Sequence, residues 1–245
     1  MVKQGDIIID FLNQDSIKNH TDLAGIVLLG SFSSNQGDEL SDIDIKFIYF
    51  NDNYTPVQLP PNEWEWDICE CTLADFSKIA SYDNRECEAL VTADVLLDKT
   101  GEIKDKINKF INPGFDYFKE NLGNTLDAYY NQYYRSMKCL RRKNLIGAHV
   151  MACISMNTLN IILYHINGLL QTYLTRLPET IHKLKNLPMP ANELFDYMTN
   201  ISVTADARSQ IQVYLSVKEM MNKLGYFQVY EAWEGKLDKE IELAL

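Results

Sequence analysis

The chain has 245 residues, about one and a half times a common domain of roughly 150. Hydrophobic residues make up 46 %, with only 11 Gly and 7 Pro, which excludes a disordered, collagen-like or linker-like chain. The net charge of −11 is uneven: residues 1–113 carry 21 acidic against 9 basic side chains, net −12, and residues 114–245 carry 13 against 14, net +1. A nucleic-acid binder needs a basic face to neutralise phosphates, so no nucleic-acid partner is expected. Cationic small molecules and metal ions suit the acidic half better.

Ile7–Leu12 reads as a short helix. Gly25–Leu29 (GIVLL) is a continuous apolar run ending at Gly30, the pattern of a buried strand. Ile43–Phe50 alternates, with Ile43, Ile45 and Phe47 on one face and Asp42, Asp44 and Lys46 on the other, a half-buried strand. The polar, Pro-containing Asn51–Pro61 reads as a loop, Trp64–Leu73 as a third strand and Asp94–Leu97 as a short fourth. Leu73–Ala80, Arg85–Val91 and Glu102–Ile111 read as helices. Residues 1–112 are therefore expected to form a small α+β domain with a mixed sheet, closed by the Asn112-Pro113-Gly114 punctuation.

From residue 113 to 245 the periodicity is helical. Phe115, Phe118, Leu122, Leu126, Tyr129, Tyr133, Met137 and Leu140 recur at three and four, the mark of a long amphipathic helix. Leu145–Leu169 is a second, ending near a glycine cap at Asn167-Gly168. Leu177–Leu187, Glu193–Asn200, Arg208–Leu224 and Tyr230–Leu243 complete an all-α bundle.

Five cysteines (69, 71, 87, 139 and 153) make an odd set with no regular framework, and Met1–Gly5 runs into Asp6 without a leader pattern. The apolar stretch Ile154–Leu170 is interrupted by Ser155, Asn157, Asn160 and His165, so no membrane partner is expected. These features point to a reducing, cytoplasmic setting with free thiols. Cys69 and Cys71 lack the second pair a structural zinc would require and read as packing thiols. His149 and His165 read as helix-packing residues, and Trp64, Trp66 and the Tyr-rich 129–134 run as core or packing aromatics.

The chemistry concentrates in Gly25–Phe50. A strand ends in Gly30-Ser31, ten residues follow, and Asp42-Ile43-Asp44 heads the next strand. Gly-Ser after a strand allows close backbone approach and offers N–H donors to phosphate oxygens. Asp42 and Asp44, two apart on a strand, point the same way, and two such charges repel unless a cation lies between them. Mg²⁺ takes oxygen ligands, usually one or two carboxylates plus substrate phosphates. The pair therefore reads as a magnesium–nucleotide platform.

Leu29-Gly30-Ser31 followed by Asp42-Ile43-Asp44-Ile45 resembles the signature of the nucleotidyltransferase superfamily shared by DNA polymerase beta and the aminoglycoside nucleotidyltransferases. The resemblance implies Mg²⁺ held by Asp42 and Asp44, ATP or another NTP as cosubstrate, and phosphates against Gly30 and Ser31. It also implies a third carboxylate on a neighbouring strand. In WEWDICECTL, Trp66, Ile68 and Glu70 share one face and Glu65, Asp67 and Cys69 the other, and parity alone leaves the choice open. Glu70-Cys71-Thr72 is similar to the Glu-x-Thr strand of streptomycin/spectinomycin-type adenylyltransferases, which implies Glu70 as the general base, with Asp67 the alternative.

In the helical half, five cations fall within residues 135–143, and Arg135, Lys138 and Arg142 share a helix face. The stretch Tyr133–Gly168 looks like the helical C-terminal domain of bacterial antibiotic-modifying nucleotidyltransferases. Arg135 and Lys138 are expected to neutralise the departing pyrophosphate, with the active site in a groove between the domains. In one respect the chain departs from its relatives: Phe32–Leu40 contains no Arg or Lys, where many of them carry one. The expected activity is transfer of a nucleoside monophosphate, AMP foremost, to a hydroxyl of a small molecule such as an aminoglycoside-like antibiotic, with a role in resistance. The alternatives are a nucleotidyltransferase acting on a protein or tRNA target, and a non-catalytic nucleotide-binding module of the same fold.

Overall fold

A computed structural model describes residues 4–59, 65–78 and 84–244. The chain divides into two compact units, Met1–Asn112 and Pro113–Leu245. The architecture is α+β: a small mixed sheet in the first unit and helices throughout the second.

The first unit runs α1 (Gln4–Asn13), α2 (Asp15–Lys18), β1 (Leu23–Leu28), α3 (Gly30–Ser33), β2 (Ile43–Tyr49), β3 (Trp66–Thr72), α4 (Leu73–Phe76), α5 (Asn84–Val91), β4 (Asp94–Asp98) and α6 (Ile103–Ile111). The sheet order is β3-β2-β1-β4. β1 pairs antiparallel with β2 and β4, and β2 pairs parallel with β3. Pro60, Pro61 and Trp64, at the end of the expected loop and the start of the expected third strand, lie outside the described residues, as do Ile79 and Ala80 of the expected helix after it.

Alternation sends β2 side chains to two different cores. Ile45, Phe47 and Tyr49 pack with Phe11 of α1 and Ile17 of α2, while Ile48 packs with Phe76, Leu90, Ile103 and Ile107 from α4, α5 and α6. The strand is thus buried on both faces, not on one, because it is central in the sheet and helices cover both sides. Even Lys46 is only 5 % exposed.

The second unit holds α7 (Phe115–Arg141), α8 (Leu145–Ile166), α9 (Leu177–Thr180), α10 (Ala191–Thr204), α11 (Ala207–Lys223), α12 (Phe227–Glu231) and α13 (Lys236–Ala244), with 3-10 turns at Leu174–Arg176 and Ile181–Lys183. The expected stripe of α7 is its buried face: Phe118, Leu122, Leu126, Tyr129, Tyr133 and Met137 all face the core. Two expected helices are interrupted. Leu177–Leu187 breaks into α9 and a 3-10 turn, and Tyr230–Leu243 breaks at Glu234 and Gly235, both at positive φ.

α8 is long and apolar enough to cross a membrane by length and composition alone, but Ala148, Ala152, Leu159, Ile162 and Leu163 are fully buried in the core of the unit. The connection after it needs a glycine: Gly168 has φ +71°, its carbonyl accepts from the Gly114 N–H at 3.0 Å, and a Cβ there would meet Gly114 backbone at 2.9 Å. His149 and His165 do pack between helices. His149 Nε2 lies 2.6 Å from the Ser202 carbonyl, and His165 stacks on Phe118 with centroids 4.0 Å apart. Burial pulls the His165 imidazole down to about 4.

Candidate active site

The β1–α3 junction is built around one glycine. Gly30 has φ +65°, the left-handed region, and a Cβ on it would lie 1.9 Å from Asp44 Oδ2. The Leu29 N–H donates to the Asp44 carbonyl at 2.9 Å, which carries the β1–β2 pairing into this turn. Ser33 Oγ donates to the Gly30 carbonyl at 2.9 Å and closes the turn. Ser31, half-buried, makes no side-chain hydrogen bond among the described residues. The loop that follows is tied at its far end: the Asp38 carboxylate accepts from the Leu40 N–H at 2.9 Å and from Ser41 Oγ at 3.0 Å.

Parallel pairing then decides the third carboxylate. In the β2–β3 register Asp44 stands opposite Asp67, and Glu70 stands opposite Phe47. Side chains alternate, so Asp67 joins the face of Asp44 while Glu70 falls on the Phe47 face. Carboxylate oxygens of Asp42, Asp44 and Asp67 all lie within 4.8 Å of one another. The expectation that Glu70 completes the set is therefore replaced by its alternative, Asp67. Glu70 instead accepts from the Tyr49 hydroxyl at 2.9 Å and from Tyr54 at 3.5 Å, where Tyr49 and Tyr54 stack with centroids 3.8 Å apart.

The electrostatics fit a cation. Burial, then the charges of Asp42 and Asp67, push the Asp44 carboxyl above its ordinary range. Among the described residues no Lys or Arg forms an ion pair with any of the three. An all-carboxylate donor set with convergent oxygens suits a hard divalent ion such as Mg²⁺. Lys46 follows Asp44 by two positions on the same strand face and is buried; the alternation placed it on that face, but its burial came only with the helices packed there. Cys69 and Cys71 share the face too, Cys69 exposed and Cys71 packed against the Ile48 cluster, while the side chain of Cys87 lies outside the described residues.

In the second unit, Arg135 and Lys138 line a cavity of about 620 Å³ together with Tyr134, Arg142, Met151 and Trp233. Arg141 is turned away from it and bonds the buried Glu240 through two hydrogen bonds of 3.0 and 3.1 Å.

No family model matches the chain, and no curated protein matches it. Among solved structures, a nucleotidyltransferase-like protein from Exiguobacterium sibiricum is similar over 96 % of this chain and 77 % of its own, with 8 % identity and a TM-score of 0.44. Similarity that remote leaves the function to be argued from the chain's own residues.

Proposed function

We propose that this chain is a divalent-metal-dependent nucleotidyltransferase of the polymerase-beta type, which moves a nucleoside monophosphate, AMP foremost, from an NTP to a hydroxyl of a small molecule. The observation that carries the reading is the convergence of Asp42, Asp44 and Asp67 beside the Gly30-Ser31 turn. In the reaction the acceptor oxygen bonds to the α-phosphorus, the bond from that phosphorus to the bridging oxygen breaks, and pyrophosphate leaves. Mg²⁺ bound at such a site supplies Lewis-acid stabilisation of the charge on the attacking and leaving oxygens. Asp42 and Asp44 hold it. Asp67 completes the oxygen set and takes the proton of the acceptor hydroxyl, the role that the resemblance gave to Glu70. Gly30 lets the backbone approach phosphate oxygens, and Ser31 adds a hydroxyl donor. The net charge of −12 on residues 1–113 favours a cationic acceptor, as an aminoglycoside would be.

The test is mass spectrometry of hydroxylated cationic acceptors incubated with ATP and Mg²⁺. A product heavier by one AMP, formed only with metal and lost in Asp44→Asn, is the expected result. Nucleotide binding with no adduct across the panel would favour the non-catalytic module instead. Protons compete with the cation for Asp44, so metal affinity is expected to fall as pH drops through its raised pKa.

A further inference from the structure

We infer that the helical unit contains its own pocket for a nucleoside polyphosphate, one that forms without a metal ion. Asn131, Tyr134, Arg135, Lys138 and Arg142 recur at three and four along the end of α7 and line one cavity, with Gly147, Val150 and Met151 of α8 and Trp233. Its volume of about 620 Å³ falls within the range of roughly 300–1,000 Å³ common to small-molecule sites.

The lining has two kinds of chemistry. Tyr134 and Trp233 form an aromatic wall, with centroids 5.5 Å apart and planes inclined by 51°. The indole is held by a hydrogen bond from its Nε1 to Asp127 at 3.0 Å. Around this wall stand three cations, none with a carboxylate in ion-pair range among the described residues. Arg135 donates through Nε to Asn131 at 2.8 Å, an arrangement that orients the guanidinium and leaves its terminal nitrogens available. The Lys138 ammonium lies 5.5 Å from the Tyr134 ring centre.

Cations at a helix C-terminus also complement the helix dipole, but that effect fades within the last turn. Arg135 sits more than a turn before the end of α7 at Arg141, and the dipole gives no reason for a ring-lined cavity beside it. Three like charges around an aromatic wall call for a ligand with a planar ring and several negative charges. A nucleoside triphosphate offers both: the base against Trp233 and Tyr134, the phosphates on Arg135, Lys138 and Arg142. The same charges repel a polycation, so a cationic acceptor is not the occupant. Choosing a nucleotide over other ringed polyanions rests on the function proposed above; the cavity, its rings and its cations do not.

The experiment is calorimetric titration of the full chain with ATP in excess EDTA at low salt. ATP is expected to bind, at least about tenfold more tightly than either adenosine or pyrophosphate, and more weakly as salt rises. Arg135→Gln with Lys138→Gln and Arg142→Gln should weaken ATP at least about 30-fold. Trp233→Leu should erase the preference for ATP over pyrophosphate, and intrinsic fluorescence with a melting curve checks that each variant is folded. No ATP binding in EDTA, or binding indifferent to the triple substitution, would overturn the pocket. Mn²⁺ titration of the aspartates is read separately, so failure here with intact Mn²⁺ binding leaves the transferase reading standing.

Discussion

Two clusters of like charge, one in each unit, are built by opposite means. Asp44 and Asp67 come from two paired strands and Asp42 from the residue just before the first of them, and what gathers them is the parallel register that sets Asp44 against Asp67. Arg135, Lys138 and Arg142 come from the end of one helix, and what gathers them is its turn of 3.6 residues. The acidic cluster sits at the head of a central strand, where burial already raises Asp44. The basic one lines an open cavity at a helix end. A helix thus assembles a site from neighbours in sequence, whereas a sheet assembles one from partners that only pairing can name.

The largest effect that tests this contrast lies in β3. Asp67→Asn is expected to lower kcat/KM for nucleotide transfer at least about 10³-fold, about 4 kcal/mol of transition-state stabilisation. Glu70→Gln, on the opposite sheet face, is expected to stay within about threefold. The reverse ranking would return the third carboxylate to Glu70 and break the register argument.

Acid separates the two units next. His165, held near 4 by burial, stays neutral when folded while the unfolded chain takes up a proton below about pH 6.5. Stability present above that pH is therefore lost progressively as pH falls from about 6.5 toward 4, by up to about 3 kcal/mol. His165→Phe, which preserves the stack on Phe118, should remove this loss in urea melts at pH 7 and pH 4.5. Asp44 acts in the opposite sense: its pKa is raised, so its contribution is full in acid and is lost as pH rises through the folded value. Asp44→Asn should remove that slope.

A smaller effect belongs to Gly30. Gly30→Ala places a side chain at φ +65° and against the Asp44 carboxylate, and should cost about 1–2 kcal/mol from backbone strain alone. Weakened Mn²⁺ binding in the same variant would show the turn supporting Asp44; unchanged binding would separate the two. Smallest of all is Ile146→Asn on α8. Ile146 is 81 % exposed, and its loss should shift stability by less than about 0.5 kcal/mol in denaturant melts.

The legible parts of the chain are those whose signal is local. Apolar spacing gives α7, which ends at Arg141, one residue beyond the last position of the stripe. Alternation gives β2, and Asp44 within it does converge with Asp42, the residue that precedes the strand. Glu234 and Gly235 break the last expected helix through positive φ, and a periodicity count carries no sign of that. The burial of Lys46 was invisible for another reason: alternation shows which face a residue takes, not whether a helix covers it.

The amino-acid order alone determined the α+β class, the helical second half and the Gly-Ser and Asp-x-Asp elements, because each follows from contacts or conformations within a few residues. Only the tertiary structure decided that Asp67 and not Glu70 meets the aspartate pair, and that Trp233 closes a cavity lined by α7 residues about a hundred positions earlier. Strand register and helix packing join segments that the chain keeps apart, and that pairing is settled by burying both faces of the sheet and the apolar stripes of the bundle together.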